Sequence, residues 1–191
     1  MKLIFGLGNP GPDYTGTRHN LGFLTLEALA DECGASFSEK SKFKALIAEC
    51  RVDGEKVLLA KPTTFYNLAG ESYRAICDFY KLAPEDTLIV HDELALPFGT
   101  VRARQGGSDA GNNGIKSVNL HGGEASKRLR IGIANDKRQL IGDTEFVLGR
   151  FSAEEATALK ETILPNLRSM CHDFVTGNHP HTSHKLIDTA S

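Results

Sequence analysis

Residues 6–22 read GLGNPGPDYTGTRHNLG, directly behind the apolar run KLIF of residues 2–5. The run predicts a first strand, and the next six residues have the form G-x-G-x-x-G, the spacing of a loop that cradles a dinucleotide's pyrophosphate. That reading needs a helix opening near the second glycine, with its N–H groups and dipole facing the phosphates. Pro10 and Pro12 have no N–H to give, and helical periodicity starts only near Asn20. The acidic residue expected about 20 positions further on, at the end of a second strand, would fall inside that helix at Asp31 or Glu32. The glycines therefore shape a bend that presents side chains, Asn9 and His19 among them.

Working outward, LGFLTLEALADECG has apolar residues at 21, 24, 28 and 29 and a stopping glycine at 34, which predicts a helix from about 20 to 33. FKALIAEC and KVLLAKP flank Asp53-Gly54, a strong hairpin signal. NLAGESYRAICDFYKL predicts a helix ending before Pro84. DTLIVHDE predicts a buried strand that delivers Asp92 and Glu93 at its C-terminal end. GTVRARQ and KRLRIGIA read as strands, with a Gly-rich loop and a short helix opening at NNGIKSV between them. SAEEATALKETI places Ser152 and Glu155 in capping-box register. Strands alternating with helices, plus a hairpin, predict a single α/β domain over residues 1–176 around a mixed sheet. Residues 177–191, GNHPHTSHKLIDTAS, have little to bury and are expected to form a flexible tail.

Composition narrows the function. Apolar residues make up 40% and charged residues 24% of the 191, an ordinary globular balance. The opening residues predict no secretion signal, and no apolar stretch approaches the roughly 20 residues that span a bilayer. Cys33, Cys50, Cys77 and Cys171 have no metal-ligand spacing and read as reduced thiols of a cytoplasmic protein. His179, His181 and His184 could space a metal, but no carboxylate stands near to orient their rings. Neither a metal nor a cofactor is expected. GGSDAG misses the G-x-S-x-G nucleophile elbow by Ala110, so Ser108 reads as a loop residue.

A set of polar residues remains where loops meet strand ends: Asn9, His19, Asn67, Asp92 and Asn113. Each alone is also an ordinary turn or cap residue. In an α/β sheet such positions can converge on one edge. A His paired with an Asp makes a general base, and with no convincing Ser or Cys nucleophile its client is water. Asn side chains can hold an amide backbone and stabilise an oxyanion. The set reads as hydrolysis of an acyl bond in a peptide-like substrate. Residues 101–150 hold nine Lys/Arg against five Asp/Glu, a local +4 that leaves −6 on the rest of a chain of net charge −2. Such segregation suits a phosphate-binding patch, and equally an ordinary solvated face.

GLGNPGPDYTGTRHNLG resembles the N-terminal signature of the bacterial-type peptidyl-tRNA hydrolases. KPTTFYNLAGES, VHDELALPFG, GGSDAGNNGIKS, RLRIGI and FVLGRF resemble later motifs of that family in the same order, so the resemblance spans Lys2 to about Phe151. It implies a cytoplasmic, monomeric enzyme with a mixed, mostly parallel twisted sheet flanked by helices, of the phosphorylase/hydrolase-like kind. Such an enzyme cleaves the ester between a peptide, or an N-blocked aminoacyl group, and the 3′ ribose of tRNA, releasing tRNA for reuse in translation. By resemblance the catalytic set falls on His19, Asp92, Asn9 and Asn113. Substrate contacts fall on Tyr14, Tyr66, Asn67, Asn112, Asn113 and Val147. Contacts to the acceptor stem and 3′ end fall on Arg104, Lys116, Arg128 and Arg130. The chain departs from the family's pattern at Tyr66, usually Met, at Asn112, usually His, and at Asp109 and Ala110, usually His and Gly. Those departures favour, as an alternative, a catalytically weak RNA- or protein-binding relative akin to the plastid intron-splicing factors that share this fold.

Overall fold

The computed structural model describes residues 1–187. Its sheet is built outward from β1 (Lys2–Gly6), which pairs in parallel with β4 (Glu55–Pro62) on one side and β5 (Thr87–Pro97) on the other. β5 pairs in parallel with β7 (Lys127–Ala134). β2 (Ser38–Lys40) and β3 (Ala45–Val52) extend one flank, and β6 (Thr100–Gln105) and β8 (Thr182–Lys185) the other, all antiparallel. The order is β2-β3-β4-β1-β5-β7-β6-β8, a mixed sheet whose parallel strands are the four central ones.

Period-two alternation along β1 divides the core. Ile4 packs with α1 (Leu21–Glu32) and α7 (Leu164–Val175) on one face, while Leu3 and Phe5 pack with α2 (Ala69–Tyr80) and α3 (Asn113–Val118) on the other. Asp53 and Gly54 both take positive φ, 48° and 82°, as the hairpin turn between β3 and β4 requires. α4 (Lys137–Ile141) and α5 (Asp143–Leu148) follow β7. α6 (Ala153–Ala158) opens on the expected capping box: Ser152 Oγ accepts from Glu155 N at 3.2 Å, and Ser152 N donates to Glu155 Oε2 at 2.8 Å. It enters α7 through a π turn, Leu159–Ile163, set where Pro165 has no N–H for an α-helical bond.

The opening glycines serve helix–strand packing. A Cβ on Gly22, in the first turn of α1, would lie 2.5 Å from the backbone N and O of Leu7 and the O of Val90. One on Gly6 would lie 2.7 Å from Gly22 O. Both positions must lack a side chain for α1 to start this close to β1 and β5, and that approach carries His19 to the C-terminal ends of the strands.

Part of the expected tail differs. Thr182–Lys185 pairs along β6, Leu186 N donates to Gly99 O at 2.8 Å, and Leu186 and Ile187 pack against the core. Backbone pairing to an open edge, and not side-chain burial, holds this segment, so its polar composition gave no sign of it. Residues 188–191 lie outside the described residues. Cys33 is exposed, whereas Cys50, Cys77 and Cys171 are buried as free thiols. Among the described residues no helix is long and apolar enough to cross a membrane, and no cluster of His, Cys, Asp and Glu could hold a metal.

Candidate active site

β1 ends at Gly6, opposite Val90, so Asp92 stands two residues beyond the end of its neighbour, beside the loop that carries Asn9. Successive crossovers place α1 on one face of the sheet and α2 on the other. The crevice between them opens at the carboxyl ends of the strands, where α/β sheets bind ligands.

His19 sits in a 3₁₀ turn, Arg18–Asn20, that is anchored on both sides. The Arg18 guanidinium donates to Arg150 O and Glu155 Oε2, each at 2.7 Å, and lies 4.4 Å from the centre of the Phe146 ring and 5.3 Å from that of Phe151. The Asn20 amide clamps the backbone of residue 9: Asn9 N donates to its Oδ1 at 2.8 Å, and its Nδ2 donates to Asn9 O at 2.9 Å. Between these anchors the His19 ring meets Asp92, Nδ1 to Oδ2 at 2.9 Å. A carboxylate only accepts, so Nδ1 carries the hydrogen and the lone pair is on Nε2.

Asp92 is 2% exposed. Burial pushes its carboxyl up, but the His19 imidazole and the Tyr66 hydroxyl outweigh burial and hold it below the ordinary value. Tyr66 donates its hydroxyl to Asp92 Oδ1 at 2.7 Å and stacks on the His19 ring, centroids 3.6 Å apart and planes within 14°. Burial first, and then the Asp92 charge, raises the phenol well above its ordinary value, so it remains a donor. Asn9 Oδ1 accepts from Tyr66 N at 2.8 Å, which leaves the Asn9 NH₂ as the group it can offer a ligand.

These residues, with Asn67, Asn112, Asn113 and Val147, line a crevice of about 560 Å³. Asn67 and Asn113 are exposed, and Val147, Leu148 and Phe65 give the crevice an apolar wall. Among the described residues neither a serine nor a cysteine lines it. Arg138 also lines it, donating to Leu94 O at 2.6 Å and pairing with Asp143.

A family model described as peptidyl-tRNA hydrolase matches residues 3–188. The chain belongs to the peptidyl-tRNA hydrolase family. It is 44% identical over 176 residues to the peptidyl-tRNA hydrolase of Exiguobacterium sibiricum, covering 92% of this chain and 94% of that one. It is 47% identical over 160 residues to that of Gloeobacter violaceus, covering 83% and 80%. The crystal structure of the peptidyl-tRNA hydrolase of Acinetobacter baumannii superposes with a TM-score of 0.84 at 36% identity, covering 93% of this chain and 89% of that one. The α/β fold expected from the sequence is thus that of solved peptidyl-tRNA hydrolases.

Not every residue expected from the family's pattern reaches the crevice. Tyr14 ends a short 3₁₀ turn, Pro12–Tyr14, and is not among the lining residues. Tyr66 and Asn112 do line it but spend their polar atoms inward. Asn112 Nδ2 donates to the Tyr66 hydroxyl at 3.0 Å, and its Oδ1 caps α3 by accepting from Ile115 N at 3.0 Å.

Of the basic residues, Lys116 is exposed on α3. Arg130 is paired with Glu93, its Nε and Nη2 at 2.9 and 2.7 Å from Oε2, and keeps part of its side chain in solvent. Arg104 holds β8, donating to Thr182 O at 2.8 Å. Arg128 is a correction. It is 3% exposed and donates to Ser108 O at 3.0 Å and Asn119 Oδ1 at 2.6 Å, so its guanidinium braces the Gly-rich loop and presents no face to a phosphate.

Sequence reasoning assigned no role to Arg18, Asn20 and Arg138. Asn20 stood beside His19 in the quoted motif, and its adjacency to the base was the available signal.

Proposed function

We propose that this chain hydrolyses the ester that joins a peptide, or an N-blocked aminoacyl group, to the 3′ ribose of tRNA. The observation that carries the reading is the His19–Asp92 pair, whose Nδ1 is the nitrogen bound to the carboxylate, in a crevice that among the described residues is lined by neither serine nor cysteine. Nε2 takes a proton from water as the oxygen attacks the ester carbonyl. The tetrahedral oxyanion is met by the NH₂ groups of Asn9 and Asn113, and the imidazolium then returns its proton to the departing ribose oxygen. Asp92 fixes the ring and its tautomer. Because its carboxyl is held below the ordinary carboxylate range, it stays ionised as the pH falls through the imidazole range. It therefore keeps its charge and continues to accept from Nδ1 at neutral pH.

Asn67 holds the peptide backbone, and Val147 packs against the bound ester. A set that reads backbone amides selects little among peptide side chains. Lys116 and Arg130, with the exposed edge of Arg104, meet phosphates of the acceptor stem. The protein acts as a monomer in the cytoplasm. The catalytically weak, splicing-factor-like alternative finds no support among the relatives, which are named as hydrolases.

Release of the acyl group from N-blocked aminoacyl-tRNA, compared with free-amine aminoacyl-tRNA across a salt series, tests the reading. Rapid release from the blocked substrate is expected, with log kcat/KM falling against log salt by about 0.7–0.9 per phosphate contacted. Tight binding of the blocked substrate with no release would overturn it in favour of a binding module.

A further inference from the structure

We infer that Tyr66 is a positioning residue for the catalytic pair: by holding the second oxygen of Asp92 and one face of the His19 ring, it limits how strongly the carboxylate retains a proton on the imidazole. The inference rests on the reading of His19 as the base and deepens it. Both oxygens of Asp92 are occupied, Oδ2 by His19 Nδ1 at 2.9 Å and Oδ1 by the Tyr66 hydroxyl at 2.7 Å. Asn112 fixes the direction of that second bond. Its Nδ2 donates to the phenol oxygen at 3.0 Å, which leaves the phenol hydrogen only Asp92 to serve.

Asn112 is itself fixed as the cap of α3 through Ile115 N. A continuous polar chain thus runs from the start of α3 through Asn112, Tyr66 and Asp92 to the base. The ring stack at 3.6 Å and 14° holds the imidazole in the plane where Nδ1 meets the carboxylate. The backbone of the same residue fixes Asn9, through Tyr66 N to Oδ1 at 2.8 Å. One side chain and its amide therefore touch the base, its carboxylate and an oxyanion donor. Tyr66 is 4% exposed, and its hydroxyl is spent before any substrate arrives.

The effect has a definite sign. A carboxylate that serves two donors shares its charge between them. Without the phenol hydroxyl, Oδ1 is left buried and unpaired, and the Asp92–His19 pair holds its proton more tightly. The other charged groups nearby are committed elsewhere. On β5, His91 Nδ1 meets the backbone O of Asp92 at 2.7 Å, and burial holds that ring below its ordinary value. Glu93 is paired with Arg130 of β7, and Arg138 of α4 with Asp143 of α5. None of them hydrogen-bonds the Asp92 carboxylate, so removing the hydroxyl isolates one contact.

The test is Tyr66→Phe, which keeps the ring and removes the hydroxyl. The acidic limb of kcat/KM should move up by about 0.5–1 pH unit, so the loss against the native protein is about 3–10-fold on the acid side and shrinks as pH rises. Asn112→Ala, which frees the hydroxyl hydrogen to turn, should move the limb the same way by less. NMR titration of the His19 ring, assigned with His19→Gln, should show the same upward shift without substrate. That readout separates this inference from the identity of the ester. A raised KM with the limb and the ring titration unmoved would make Tyr66 a substrate contact and overturn the inference. A pH-independent fall in kcat would reduce its role to packing and overturn it equally.

Discussion

Replacing His19 with alanine is expected to lower kcat/KM for peptidyl-tRNA by about 10²–10⁴, the usual worth of a positioned general base. Affinity for tRNA should stay near the native value. Among the described residues that line the crevice His19 is the only histidine, and Asp92 cannot substitute for its Nε2. That carboxylate is 2% exposed, its Oδ1 is occupied by Tyr66, and its ionised form is too weak a base to activate water at neutral pH. His19→Asn separates chemistry from packing, because its Nδ2 can donate to Asp92 where Nδ1 did while offering no base. Both variants should lose turnover together, with unfolding midpoints near the native one. Near-native turnover in either would contradict the role of His19.

The second large effect is on stability. Arg18→Met is expected to destabilise the fold by about 3–5 kcal/mol, the cost of removing one partner from a buried ion pair. For a chain of this size that is a fall in Tm of about 6–20 °C. Arg18 is 4% exposed, lies between Phe146 and Phe151, and bridges the turn that carries His19 to Arg150 and Glu155. Methionine keeps the apolar stem but leaves the Glu155 carboxylate with only the neutral donors Asn135 and Ser152 N. Adding Glu155→Gln should recover part of the loss, because the stranded charge is then removed. Thermal unfolding followed by circular dichroism reads both effects, and a loss below about 1 kcal/mol for Arg18→Met would show the pair to be no anchor.

Local signals in the sequence proved legible where a short-range rule fixes the backbone. Asp53-Gly54 specified its turn, Ser152 and Glu155 their cap, and the periodicity of residues 21–33 the helix α1. The convergence of Asn9, His19 and Asp92 was legible because Asn9 follows β1, Asp92 lies within β5 and His19 precedes α1, whereas Asn113 reaches the same crevice from the start of α3. What stayed hidden depends on partners distant in the chain. Arg128 was placed at the acceptor stem by resemblance, and its burial was hidden because the groups that accept from its terminal nitrogens come from the Gly-rich loop and the residue after α3. Tyr66 looked like a substrate contact because nothing in TTFYN shows that its hydroxyl ends on residue 92. β8 was invisible because an edge strand is specified by the open edge it meets.

The most direct test of water activated by His19 is a single turnover of N-blocked aminoacyl-tRNA in water enriched in heavy oxygen, quenched in acid and read by mass spectrometry. Attack by water on the carbonyl places one heavy oxygen in the released carboxylate and none on the tRNA ribose, with no acyl group left on the protein. Heavy oxygen on the ribose, or an acylated protein trapped by the quench, would contradict it.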